Sequence, residues 1–235
     1  MMKTTITPEK LAGYFDQTLL KAYVSDEELR AFCEEADKYS FAMVAVNSAP
    51  VKKCRTWLAG SKVHVGAAIG FPLGQTSIDC KVFEAEQAIA DGADEIDYVI
   101  NITELKNRNL AYIEDEMRRI TEVCRAHGKI VKVIFENCYL TDEEKRIMCE
   151  IAKKVRPDYV KTSTGFGTPK DGRAVGATVE DVRLMKSIVG DEIKVKAAGG
   201  VRTLEQALAM IEAGAERIGT SAGVGIIEEL KALEK

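Results

Sequence analysis

The chain has only two histidines, His64 and His127, and they stand alone. A zinc site needs closely spaced Cys and His ligands, so no metal is expected. Six cysteines (Cys33, Cys54, Cys80, Cys124, Cys138 and Cys149) contain no CxxC pair. They read as reduced thiols of a cytoplasmic protein. The opening MMKTTITPEK lacks the apolar segment of a secretory signal, and no apolar run reaches the length of a membrane span. A net charge of -4 leaves no basic surplus, and no stripe of lysine and arginine interleaved with aromatics is present. Nucleic acid and membrane are therefore not expected partners.

What the chain does have is a repeating βα pattern. Ser25, Thr141 and Thr203 are each followed three residues later by Glu28, Glu144 and Gln206, the capping-box signature of a helix start. Thr178 with Asp181 is a weaker version. Gly92, Gly190 and Gly214 stand where helices should end. Between the helices lie YFDQT, FAMVAV, VHVGAAIG, DEIDYVI, KIVKVIF, DYVKTS, EIKVKAA and ERIGTS. Eight strands alternating with helices in 235 residues predict one (β/α)₈ barrel domain spanning residues 1–235. A doubly wound open sheet is the alternative, but such sheets usually have fewer strands, and GFGTPKDG does not fit the GxGxxG spacing of a dinucleotide site.

Strand alternation then sorts the side chains. The apolar set must face the helices, which assigns Val131, Val133, Phe135, Ile96, Tyr98, Ile100, Ile193, Val195 and Ala197 outward. Lys132, Glu136, Glu95, Asp97, Lys161, Lys194 and Lys196 are left facing the barrel axis, and Asp16, Thr18 and Asn47 join them. Barrel interiors are ordinarily filled by branched apolar residues. A structural ion-pair network is one account of this departure. The other is an active site, since Lys161, Lys196 and Asp97 fall toward the strand ends where barrel enzymes place their chemistry. Burial and neighbouring positive charge both disfavour an ammonium, so one lysine in such a cluster can become a neutral nucleophile toward carbonyls.

Two small-residue loops, AAGGVRT and IGTSAG, follow strands seven and eight, where this fold commonly binds phosphate on glycine amides and a helix N-terminus. Gly199, Gly200, Gly219 and Ser221 are the candidates, with Gly165 of KTSTGFG a further amide donor.

The motifs ADEIDYVIN, KVIFE, DYVKTSTGF, GATVEDVRLM and VKAAGGVRT, within a stretch from DQTLLK to IGTSAG, resemble those of the deoxyribose-phosphate aldolase family of class I aldolases. The resemblance implies that Lys161 is the Schiff-base lysine, Lys196 the lysine that tunes it and Asp97 the carboxylate of a proton relay. It implies further contacts from Asp16, Thr18, Asn47, Lys132 and Thr164, with no cofactor. The implied reaction is reversible cleavage of 2-deoxy-D-ribose 5-phosphate to acetaldehyde and D-glyceraldehyde 3-phosphate. A small sugar phosphate is the expected partner, and a homo-oligomer is expected. An aldolase for another phosphorylated sugar and a non-catalytic sugar-phosphate-binding barrel remain alternatives. Three positions depart from the family pattern. Gln17 stands where relatives commonly have histidine, and its predicted outward orientation implies an effect on packing. AVNSAP keeps Asn47 but lacks a cysteine before the valine. The ending GIIEELKALEK lacks the tyrosine-bearing tail of some members.

Overall fold

A computed structural model describes residues 6–233. The first five residues, part of the segment read as lacking a signal, and the last two, part of the ending read as tailless, lie outside the described residues. Eight parallel strands close into a barrel: β1 (Phe15–Thr18), β2 (Met43–Asn47), β3 (His64–Ile69), β4 (Glu95–Val99), β5 (Ile130–Ile134), β6 (Tyr159–Lys161), β7 (Lys194–Ala198) and β8 (Arg217–Thr220). β8 pairs with β1, which removes both sheet edges and rules out the open doubly wound arrangement.

Helix α1 (Pro8–Ala12) precedes the first strand. The remaining helices fill the connections: α2 (Asp26–Lys38), α3 (Val51–Trp57), α4 (Ile78–Ala90), α5 (Ile102–Lys106), α6 (Leu110–Ala126), α7 (Asp142–Val155), α8 (Val179–Val189), α9 (Leu204–Glu212) and α10 (Gly223–Leu233). The starts of α2, α7 and α9 are fixed by complete capping boxes at Ser25, Thr141 and Thr203. At α8, Thr178 accepts from the Asp181 amide without the reciprocal bond, as its weaker signature implied. Among the described residues no helix is long and apolar enough to cross a membrane.

The apolar core lies between sheet and helices. It takes in Ile96, Tyr98, Val131, Val133, Phe135, Ile193, Val195 and Ala197, the outward set given by alternation. Leucine-sized side chains buried there contribute about 1.5–3 kcal/mol each, so a one-residue slip of any strand would be costly. That register is what leaves the polar set no direction but the axis.

Gln17 also points outward, away from Asp16, and its Oε1 accepts a hydrogen bond from the Gly223 amide at 3.2 Å. The residue thus ties β1 to the start of α10. Replacing it by leucine would strand a buried amide without a partner, so Gln17→Leu is expected to lower unfolding free energy by about 1–3 kcal/mol. A denaturant midpoint shifted at unchanged slope would register this; an unchanged midpoint would remove the assigned role.

Candidate active site

Register brings the polar set together. Lys161 closes β6 and stands beside Lys196 of β7, while Asp97 of β4 stands beside Lys132 of β5. The Nζ of Lys161 lies 2.7 Å from Asp97 Oδ2, and Lys196 Nζ reaches the same oxygen at 2.7 Å. Lys196 also contacts Asp16 Oδ2 at 2.5 Å. Lys132 lies 2.7 Å from Asp97 Oδ1 and contacts Glu95 as well. Arg217 donates to Asp16 and, at 2.8 Å, to Glu95. At the opposite mouth His64 Nδ1 lies 2.7 Å from Glu95 Oε1. The ring of Tyr159 sits beneath Lys132, Lys194 and Arg217, with centroid distances of 5.5–5.9 Å.

Four buried cations, Lys132, Lys161, Lys196 and Arg217, thus share three buried carboxylates, Asp16, Glu95 and Asp97. Cations outnumber carboxylates by one within this contact set, the further buried carboxyl of Glu136 acting on Lys161 through space, and desolvation makes each buried charge costly. Lys161 is the weakest holder, because its one carboxylate oxygen is shared with Lys196. Burial is the main force pulling its ammonium down to about 8, aided by the charge of Lys196 and opposed by Asp97. Relative to 10.5 this is roughly 3 kcal/mol against the charged form. Lys132 moves the other way: burial would lower it, but Asp97, Glu95 and Asp16 together hold its proton firmly. Burial opposes the charge on Asp97, and Lys132, Lys161 and Lys196 overcome it, keeping that carboxylate ionised far below its usual range.

A cavity of about 140 Å³ opens above Lys161. Its walls are Thr18, Leu20, Thr164, the segment Ala198 to Arg202, and Gly219 to Ser221. Glycine is required in this wall. A Cβ on Gly219 would lie 3.2 Å from Lys196 Cε and 3.0 Å from Ala198 Cβ, and Gly199 adopts φ +81° with its Cα against Gly165 and Gly176. The helix α10 begins two residues beyond Ser221, with its first amide, that of Gly223, bonded to Gln17.

Most of the expected residues therefore meet. Lys161, Lys196, Asp97, Asp16 and Lys132 form one network, and Thr18, Thr164, Gly199, Gly200, Gly219 and Ser221 border one cavity. Asn47 stands off from the cavity wall and donates to the Leu20 carbonyl at 3.4 Å, so it supports a wall residue. Gly165 packs on Gly199 and does not line the cavity. Lys194 is exposed at the opposite mouth. Arg217, outside the expected set, also lies on the axis, as the outward Ile218 in ERIGTS implies. Arg202 in AAGGVRT, likewise outside that set, is a wall residue.

Comparison with known proteins agrees with this arrangement. Residues 10–228 match the family described as DeoC/LacD family aldolase. Deoxyribose-phosphate aldolase of Lactobacillus acidophilus is 52% identical over 230 residues, covering 98% of this chain and 94% of that protein. Its counterpart from Thermococcus kodakarensis is 52% identical, covering 93% and 96%. The solved tetrameric deoxyribose phosphate aldolase from Aeropyrum pernix superposes with a TM-score of 0.87 at 30% identity, covering 97% and 93% of the two chains. A barrel with paired axial lysines, matched by this family over nearly its whole length, belongs to the DeoC/LacD aldolases.

Proposed function

We infer that this barrel is a class I aldolase that reversibly cleaves 2-deoxy-D-ribose 5-phosphate to acetaldehyde and D-glyceraldehyde 3-phosphate through an imine on Lys161. One observation carries the reading: of the three axial lysines, only Lys161 both borders the cavity and lacks a carboxylate oxygen of its own. A neutral amine under a small polar cavity is a carbonyl-capturing group.

The neutral Nζ attacks C1 of the open-chain sugar. Asp97 and Lys196 then move the protons that release water from the carbinolamine and leave an iminium. Removal of the C3 hydroxyl proton sends the C2–C3 bonding electrons into the iminium, so glyceraldehyde phosphate departs and an enamine remains. Protonation at C2 and hydrolysis give acetaldehyde and return the lysine. The iminium is the electron sink, so the sequence of steps calls for no metal or other cofactor. Phosphate is held along the wall of Gly199, Gly200, Gly219 and Ser221, with the Gly200 amide and the Ser221 hydroxyl as donors, while Gly165 keeps Gly199 in place. Thr18 and Thr164 line the substrate's path, and Asp16 and Lys132 hold the charge pattern beneath it.

The catalytic unit is one domain over residues 1–235, and its place of action is the cytoplasm, in keeping with six cysteines that are all free thiols. The tetrameric relative from Aeropyrum pernix supports self-association into a homo-oligomer.

Incubation with acetaldehyde and borohydride is expected to add a reduced adduct at Lys161, located by peptide mass mapping. An adduct elsewhere, or none on folded protein, would sink the proposal. Because the neutral amine is the reactive form, imine formation should rise tenfold per pH unit at low pH and level off above about 8. Lys196→Met removes a charge that favours the neutral amine, so the midpoint should move upward by about one unit. A midpoint that stays in place would mean that Lys196 does not tune Lys161.

A further inference from the structure

Glu136 is the one buried carboxyl of the barrel's upper end that has no cation as a hydrogen-bonded partner among the described residues. It follows the end of β5, is 1% exposed and adopts left-handed backbone angles, φ 58° and ψ 63°. Non-glycine residues rarely accept this conformation unless surrounding contacts enforce it. Here the conformation turns the side chain toward the loop that leaves Lys161. Oε1 accepts from the Thr164 amide at 3.2 Å, and Oε2 bonds the Thr164 hydroxyl. The same hydroxyl accepts from the Phe166 amide at 2.9 Å, which bends the loop back over Glu136. A Cβ on Gly167 would meet Cys138 Sγ at 2.4 Å, so the loop also lies tight against the segment just after Glu136.

The other flank of that loop touches the glycine wall. Gly165 packs on Gly199, and Thr162 exchanges hydrogen bonds with β7, its hydroxyl accepting from the Ala198 amide at 3.1 Å. Glu136 therefore grips one side of a short strap whose opposite side sets where Gly199 sits. Burial pushes the Glu136 carboxyl up, against the Thr164 hydroxyl and amide, the charge of Lys161 and the Cys138 thiol, which favour its ionised form.

We propose that Glu136 is a positioning residue for catalysis: through Thr164 it fixes the Thr162 to Gly167 strap against Gly199, and so sets the separation between the imine nitrogen and the phosphate-binding wall. This rests on the reading of Lys161 as the imine lysine and of the glycine wall as the phosphate site. Glu136 touches no reacting atom. Its effect should fall on substrates that must span both ends and spare those that reach only Lys161.

The test compares kcat/KM for 2-deoxyribose 5-phosphate with that for unphosphorylated 2-deoxyribose, alongside the rate of acetaldehyde trapping on Lys161. Glu136→Ala is expected to lower the phosphorylated-to-unphosphorylated preference by about tenfold, chiefly through KM, with acetaldehyde trapping near the wild-type rate. Glu136→Gln, which retains an acceptor for the Thr164 amide and gains a donor for its hydroxyl, should restore most of the preference. Glu136→Asp, whose shorter side chain withdraws the carboxylate from Thr164, should shift it the same way by a smaller factor and serves if the alanine variant does not fold. An unchanged preference in Glu136→Ala or Glu136→Asp, or equal losses on all three assays, would overturn the positioning role. Wild type lacking both imine and phosphate preference would instead overturn the aldolase reading, and this inference with it.

Discussion

The site in this barrel depends first on the burial of Lys161 beside a carboxylate oxygen that it must share with Lys196. Asp97 Oδ2 is asked to serve two ammonium groups at 2.7 Å each, and the network around it sets four cations against three carboxylates. Water cannot make up the difference, because these side chains are almost wholly buried. Loss of one proton can. Arg217 does not surrender its proton in proteins, Lys132 is held by carboxylates on β1 and β4, and Lys196 has Asp16 as well as Asp97, so the loss falls on Lys161. The lowered proton affinity of Lys161 thus follows from burial and from a charge network that spans six strands.

The fold supplies that balance through register. Parallel pairing puts Lys161 level with Lys196 and Asp97 level with Lys132, while closure of β8 on β1 brings Arg217 to Asp16. Each contact joins residues distant in sequence, and the apolar outward set holds them in place by making any slip expensive. The glycine wall has a similar logic. Side chains are left out at Gly199 and Gly219 so that Lys196 can rise toward Asp97 and Gly199 can pack against Gly165 and Gly176.

Much of this was legible in the sequence because both signals are local. Capping boxes at Ser25, Thr141 and Thr203 mark helix starts, and alternation around Ile96, Val131 and Val195 assigns Asp97, Lys132 and Lys196 to the axis. The same alternation covers Arg217, whose role was missed because a lone arginine at a strand entrance reads equally well as a surface charge. Glu136 was placed inward, yet β5 has already ended at Ile134, and the left-handed turn that aims it at Thr164 has no sequence signature. Asn47 and Gly165 illustrate a further limit. Alternation says which way a residue faces, but whether it borders a cavity or backs its wall depends on loop packing over long sequence separations.

Direct titration of Lys161 in the unliganded protein is the sharpest test of the charge-balance account. With lysine side chains isotopically labelled and Lys161 assigned by its absence in Lys161→Arg, nuclear magnetic resonance should follow each ammonium separately. The account predicts that Lys161 loses its proton near 8 while Lys132 remains charged throughout the range where the barrel stays folded. A Lys161 that titrates alongside the surface lysines would contradict it.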